Sequence, residues 1–212
     1  MNIIILGPQA SGKGTQAELL ADKLNLYHLE SGQMLRKIAT HNKRIDEIIN
    51  VKGELVPDEE TLRLIAGVIQ ENNALERGVI FDGFPRTVEQ YHLLKKWLAD
   101  RGQKIDIAIF LEVSEMTVSK RLSARRVCKS CAEIYNLITN PPKQANICDR
   151  CGGELIQRED DKPDVIKKRL TIYRNETEPM IELMAEEGLL IKIDGEKEIE
   201  MIFAEIMQKL KN

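Results

Sequence analysis

A glycine-rich run set between an apolar pentapeptide and a helical pattern limits the fold of this chain more than any other feature. Asn2-Ile3-Ile4-Ile5-Leu6 leads into Gly7-Pro8-Gln9-Ala10-Ser11-Gly12-Lys13-Gly14-Thr15, and Gln16–Leu24 follows with helical spacing. The run fits G-x-x-x-x-G-K followed by glycine and threonine, in the strand-to-helix setting that the pattern needs. Glycines let backbone N–H groups curl round an anion, and the helix amino terminus adds its dipole. Lys13 is placed to reach outer phosphates, and Thr15 offers a hydroxyl to phosphate or magnesium. Ala10, Ser11, Gly12, Lys13, Gly14 and Thr15 are the expected contacts to a nucleotide's phosphates. A plain Gly-rich turn leaves the lysine and the following helix unexplained. The pattern says that phosphate is bound and is silent about what happens to it.

Four further apolar runs, Leu26–Leu29, Val79–Asp82, Ile107–Leu111 and Leu189–Ile193, alternate with helical patterns such as Thr87–Leu98 and Glu115–Leu122. None alternates strictly, as expected of parallel strands covered on both faces. The reading is an α/β, P-loop NTPase-type five-stranded parallel sheet with helices on both faces. Residues with chemistry gather where the runs end: Ser31-Gly32 after the second, Asp82-Gly83-Phe84-Pro85-Arg86 at the third, Asp194-Gly195 after the last. Ligands of open parallel sheets bind at that edge. Asp82 is expected beside the phosphate loop, where P-loop proteins hold a magnesium-associated acid.

Two segments interrupt the alternation. Residues 30–59 read as short helices on Met34, Leu35, Ile38, Ile45, Ile48 and Ile49. Residues 126–159 carry every cysteine: Cys128-x-x-Cys131, sixteen residues, then Cys148-x-x-Cys151. That spacing matches a four-thiolate zinc ribbon, a closed site with a structural role. Two disulfides are the alternative, and iron also suits four thiolates. Clustered knuckles imply a reducing compartment.

Of the 212 residues, 42% are hydrophobic and 31% charged, as in a soluble globular protein. The net charge of -3 argues against a dedicated nucleic-acid binder. No basic leader precedes the first apolar run, and no stretch reaches the length of a membrane span. The expectation is a cytoplasmic protein without nucleic-acid or membrane partners, a monomer by default. His28, His41 and His92 fall outside the motifs and read as surface or packing residues.

Taken together these stretches resemble the adenylate kinase family over essentially the whole chain. The match runs through the phosphate loop, Ser31-Gly32-Gln33-Met34-Leu35-Arg36, Gly53-Glu54-Leu55-Val56-Pro57-Asp58, and Asp82–Thr87 with Gln90. It continues through Arg158-Glu159-Asp160-Asp161, Lys168-Arg169-Leu170 and Asp194-Gly195. The resemblance implies reversible transfer of the terminal phosphoryl group from Mg-ATP to AMP, giving two ADP, with Mg2+ as cofactor and a structural Zn2+ in a lid. It implies that Arg36 and Arg86 grip the acceptor phosphate, while Ser31, the backbone of Glu54, Leu55 and Val56, Gly83, Phe84, Pro85 and Gln90 surround the acceptor adenosine. Lys13, Arg121, Arg125, Arg158 and Arg169 would neutralise the transferring phosphates, with Asp82 on the magnesium side. Ile134, Tyr135 and Lys197 match positions near the donor. The division implied is a core of residues 1–29, 60–125 and 160–212, an acceptor-binding insert of 30–59 and a zinc-bearing lid of 126–159.

The arginines make sense without the family. Phosphoryl transfer between two anions must overcome repulsion and stabilise spread negative charge, and guanidinium forks suit that task. Arg121 and Arg125 read as i, i+4 neighbours on one helix face. The sequence departs from the family at Gln33, where Asp is usual, and at Gln9-Ala10, where Pro-Gly is usual. Ala10 requires a backbone conformation open to a residue with a Cβ. Rival readings are a kinase for UMP, CMP or GMP, and a P-loop ATPase or GTPase switch whose ribbon docks protein or nucleic acid.

Overall fold

The computed structural model describes residues 1–158, 161 and 163–211. Glu159 and Asp160, part of the Arg158–Asp161 match, lie outside the described residues. Five strands, β1 (Ile3–Leu6), β2 (Tyr27–Glu30), β3 (Val79–Asp82), β4 (Ile107–Glu112) and β8 (Leu190–Asp194), form one parallel sheet in the order β2-β3-β1-β4-β8. Each expected run falls on a strand, within a residue at either end.

Successive β1 side chains explain the unbroken isoleucine run. Ile3 and Ile5 pack with Ile80, Ile109 and Ile193 on one face, against α1 (Lys13–Leu24) and α10 (Ile199–Lys209). Ile4 and Leu6 pack with Val79 and Phe81 on the other, beneath α4 (Asp58–Glu71), α6 (Val88–Ala99) and α9 (Glu178–Glu186). A strand covered on both sides has no solvent face, so polar alternation has no place in it. From β1 the chain runs out to the β2 edge; from β3 it crosses to β4 on the far side of β1. The loops after β1 and β3 diverge, which opens a crevice at the carboxyl edge.

The first interruption folds as α2 (Ser31–Ala39), α3 (Lys43–Asp46) and a π-helical turn, Glu47–Val51. Leu35, Ile38, Ile48 and Ile49 gather round Ile45, Ala39 and Val56 in a separate apolar cluster, whereas Met34 packs on the main core. After α5 (Ala74–Arg77) and α7 (Glu115–Ser123), a second sheet of β5 (Arg125–Cys128), β6 (Ile134–Asn136) and β7 (Leu155–Ile156) pairs antiparallel in the order β6-β5-β7. Its interior is Cys128, Tyr135, Cys148 and Leu155, with Cys131 against them. Helix α8 (Pro163–Ile172) and the π-helical turn Tyr173–Thr177 lead back to α9. Among the described residues, no helix is long and apolar enough to cross a membrane.

The structure differs from the sequence expectations at two residues. Arg125 is not on a helix with Arg121: α7 stops at Ser123 and Arg125 opens β5. Ala10 does not relax the phosphate loop into an ordinary conformation. Its φ of 57° is left-handed, so the loop keeps a shape that favours glycine and strains the alanine.

Candidate active site

A cleft of ≈ 920 Å³ runs along the carboxyl edge of the large sheet. The phosphate loop, the end of β3, α2, β6 and the segment after β8 all line it. The loop leaves β1 and ends at Gly12, whose φ of 98° caps α1 without a side-chain bond. First-turn N–H groups of α1 therefore point into the cleft, as an anion site requires. Lys13 folds back over the loop, its Nζ donating to Gly7 O at 2.9 Å and Pro8 O at 2.7 Å. Burial pulls its pKa down to about 8; Asp82 opposes that, and Arg86, Arg125 and Arg169 add to it.

At the end of β3, Asp82 is buried beside the loop, and a Cβ placed on Gly14 would lie 3.5 Å from Asp82 Oδ2. Gly83 must be glycine: its φ is 76°, and a Cβ there would meet Ser31 Oγ at 2.8 Å. The close approach lets Ser31 Oγ donate to Asp82 O at 3.0 Å, which ties α2 to the strand end. A cis peptide joins Phe84 to Pro85. Arg86 then curls back, its Nε donating to Gly83 O at 2.7 Å.

Two side chains outside the expected set stand against Asp82. His28 Nε2 lies 3.4 Å from Asp82 Oδ2 without a hydrogen bond, so this histidine borders the site rather than merely packing. Burial works against the imidazolium, but Asp82 together with Glu30 and Glu18 outweighs it, and its pKa lies above the usual histidine value. Glu30 is the register partner of Asp82 across β2 and β3. Burial and the Asp82 charge push its carboxyl up, although Arg36 lies 3.4 Å away and pulls the other way. Both follow from the rule that ligands sit at strand ends; only the register, invisible in the sequence, identifies them.

The expected arginines line this one cleft and differ in what holds them. Arg121 donates to Gly195 O at 3.0 Å and reaches Ser11 O at 3.4 Å. Arg125 forms a bidentate pair with buried Asp161, Nε to Oδ2 at 2.8 Å and Nη2 to Oδ1. Arg169 stands 3.9 Å from the same carboxylate. Asp161 thus holds two guanidiniums in the cleft wall. Arg36, Arg86 and Arg158 also line it.

On the insert side, Glu54, Leu55 and Val56 form the wall, with the Glu54 carboxylate paired to Lys168 at 3.0 Å. Gln90 is buried, accepting from Arg86 N at 2.7 Å and donating to Asp58 at 2.8 Å. On the opposite side, Ile134 is exposed to the cleft, whereas Tyr135 commits its hydroxyl to Cys148 and Asp149. Lys197 lines the cleft with its Nζ on Glu205 at 2.8 Å.

The four thiols form a compact group, all Sγ atoms within 4.8 Å of one another. Cys128–Cys151 and Cys131–Cys148 approach to 3.5 and 3.6 Å, far beyond a disulfide bond. Tetrahedral zinc thiolate has edges of about 3.8 Å, so the group has the size and donor set for zinc. The Tyr135 hydroxyl, 3.6 Å from Cys148 Sγ, supplies the outer hydrogen bond that such ligands carry.

Comparison with known proteins agrees with this geometry. The family model described as Adenylate kinase matches residues 5–189. The chain is 41% identical to an adenylate kinase of Archaeoglobus fulgidus, with 100% of both chains covered. It is 41% identical to one of Caldicellulosiruptor saccharolyticus over 99% of each, and 42% identical to one of Kosmotoga olearia over 100% of each. The chain belongs to the adenylate kinase family.

Proposed function

We propose that the chain transfers the terminal phosphoryl group of Mg-ATP to AMP, reversibly, giving two ADP. One observation carries this reading: a single cleft joins a phosphate loop to seven arginines, more positive charge than one nucleotide needs. The donor would lie on the phosphate loop between Ala10 and Thr15, bordered by Arg121, Arg125, Ile134, Tyr135 and Lys197. The acceptor would lie between α2 and β3, its phosphate on Arg36 and Arg86 and its base against Ser31, Leu55, Val56 and Gln90.

The attacking atom is an oxygen of the AMP phosphate, ionised at neutral pH, so no general base is required. Lys13 would exchange the carbonyls of Gly7 and Pro8 for phosphate oxygens. Arg121 would do likewise with those of Ser11 and Gly195. These donors are then aimed where charge spreads in transfer, and their cost of positioning has been met by the fold. Asp82 and Thr15, hard oxygen donors beside the loop, fit a hydrated magnesium ion. Bound there with ATP, magnesium neutralises charge on the outer phosphates.

Four thiolates at zinc spacing support Zn2+ in the small sheet, and free clustered thiols support a reducing, cytoplasmic setting. We assign residues 30–59 to acceptor binding and 126–159 to a lid, with 1–29, 60–125 and 160–212 as core. Lid closure would exclude water from the transferring group. Mg-ATP incubated with AMP, GMP, CMP or UMP, and alone, tests the reading by nucleotide chromatography. ADP forming rapidly with AMP is expected; ATP loss independent of any acceptor would refute it.

A further inference from the structure

Gln90 is buried, and each end of its amide meets a partner of only one kind. Its Oε1 faces the backbone N–H of Arg86 at 2.7 Å, a group that can only donate. Its Nε2 faces Asp58 Oδ1 at 2.8 Å, and an ionised carboxylate can only accept. Thr87 fixes that carboxylate: its hydroxyl accepts from Gln90 N at 3.0 Å, which commits its proton to Asp58 Oδ2 at 3.2 Å. Asp58 itself opens α4, where the helix dipole favours negative charge. Rotating the amide by 180° would break both bonds and set like against like at each end.

The amide therefore has one acceptor lone pair and one N–H left over, in a fixed order. Adenine offers a donor at its 6-position with a ring nitrogen acceptor alongside, which one orientation of an amide satisfies. Guanine carries an acceptor at the 6-position, which a freely rotating amide could meet by turning its NH2 toward it. A clamped amide cannot.

We infer that Asp58 is a positioning residue for base selection, holding the Gln90 amide in the single orientation that accepts adenine and rejects a 6-oxopurine. The inference rests on the reading that Gln90 faces the acceptor base. Asp58 touches Gln90 and Thr87, and its effect on the nucleotide passes through the amide.

The test measures kcat and KM with AMP and with GMP for the intact protein and for Asp58→Asn, Gln90→Leu and the double variant. Asn keeps the size of Asp58 but no longer presents acceptors alone. Both nucleotides are assayed on one preparation, so any unfolded fraction cancels from the AMP-to-GMP ratio of kcat/KM. Asp58→Asn is expected to lower that ratio about tenfold, through KM for AMP rather than kcat. The double variant should match Gln90→Leu alone. An unchanged ratio in Gln90→Leu would overturn the placement of the base, and the inference with it. Loss in Gln90→Leu with none in Asp58→Asn would overturn the clamp alone, as would further loss in the double variant.

Discussion

The two sheets of this molecule bury themselves with different materials. The five-stranded sheet is sealed by isoleucine, leucine and phenylalanine: Ile3, Ile4, Ile80 and Phe81 are each 0% exposed, with helices on both faces. The three-stranded sheet has strands of two to four residues and an interior of two cysteines, a tyrosine and a leucine. So few apolar groups leave little hydrophobic stabilisation after chain entropy. The large sheet is built to stand on its own packing; the small one is built round four thiols spaced to hold a metal.

The largest expected effect lies at the four thiols. Ligation of structural zinc is worth roughly 10–16 kcal/mol in small domains. Chelation, or Cys148→Ala, should strip amide-exchange protection from β5, β6 and β7 while β1, β3 and β4 keep theirs. Simultaneous loss in both sheets would mean that they are one cooperative unit.

The complementary blow falls on the large sheet. Phe81→Ala should cost about 3–5 kcal/mol by global unfolding in denaturant. The four-thiol site should keep its metal until that transition. Metal loss well before it would show that the small sheet leans on the large one.

A smaller effect sharpens the contrast at the phosphate loop. Lys13 has a folded pKa of about 8, well below its ordinary value of 10.5. The unfolded chain binds the proton more tightly, so stability of the nucleotide-free protein should rise as pH climbs from about 8 toward 10.5. Phosphate binding needs the charged form, so kcat/KM for ATP should fall above about pH 8. Bound phosphates raise the pKa again, so kcat should hold to higher pH. A flat kcat/KM profile through pH 9 would mean that Lys13 does not receive the donor. The smallest effect is Ala10→Gly, which removes the left-handed alanine and should stabilise the fold by roughly 1 kcal/mol in thermal melts.

What could be read in advance follows from how locally each feature is encoded. The strands are continuous apolar runs, and the phosphate loop and cysteine pairs have fixed spacings, so all were legible. The helix expected to carry Arg121 and Arg125 was not, because Arg125 pairs with Asn136 in the small sheet and its guanidinium meets Asp161, 36 residues away. The strain at Ala10 comes from a loop that keeps its shape whatever residue fills it. Glu30 and His28 reach Asp82 only through strand register. Asp58 meets Gln90 across 32 residues, while in sequence it passes for an ordinary acidic helix start.

The most direct test of the account follows the phosphoryl group itself. ATP labelled in its terminal phosphate is mixed with AMP and the zinc-loaded protein, and the label is tracked into ADP and free phosphate. The label is expected in the outer phosphate of ADP formed from AMP, with almost none released. Label accumulating as free phosphate at the same rate with or without AMP would contradict it.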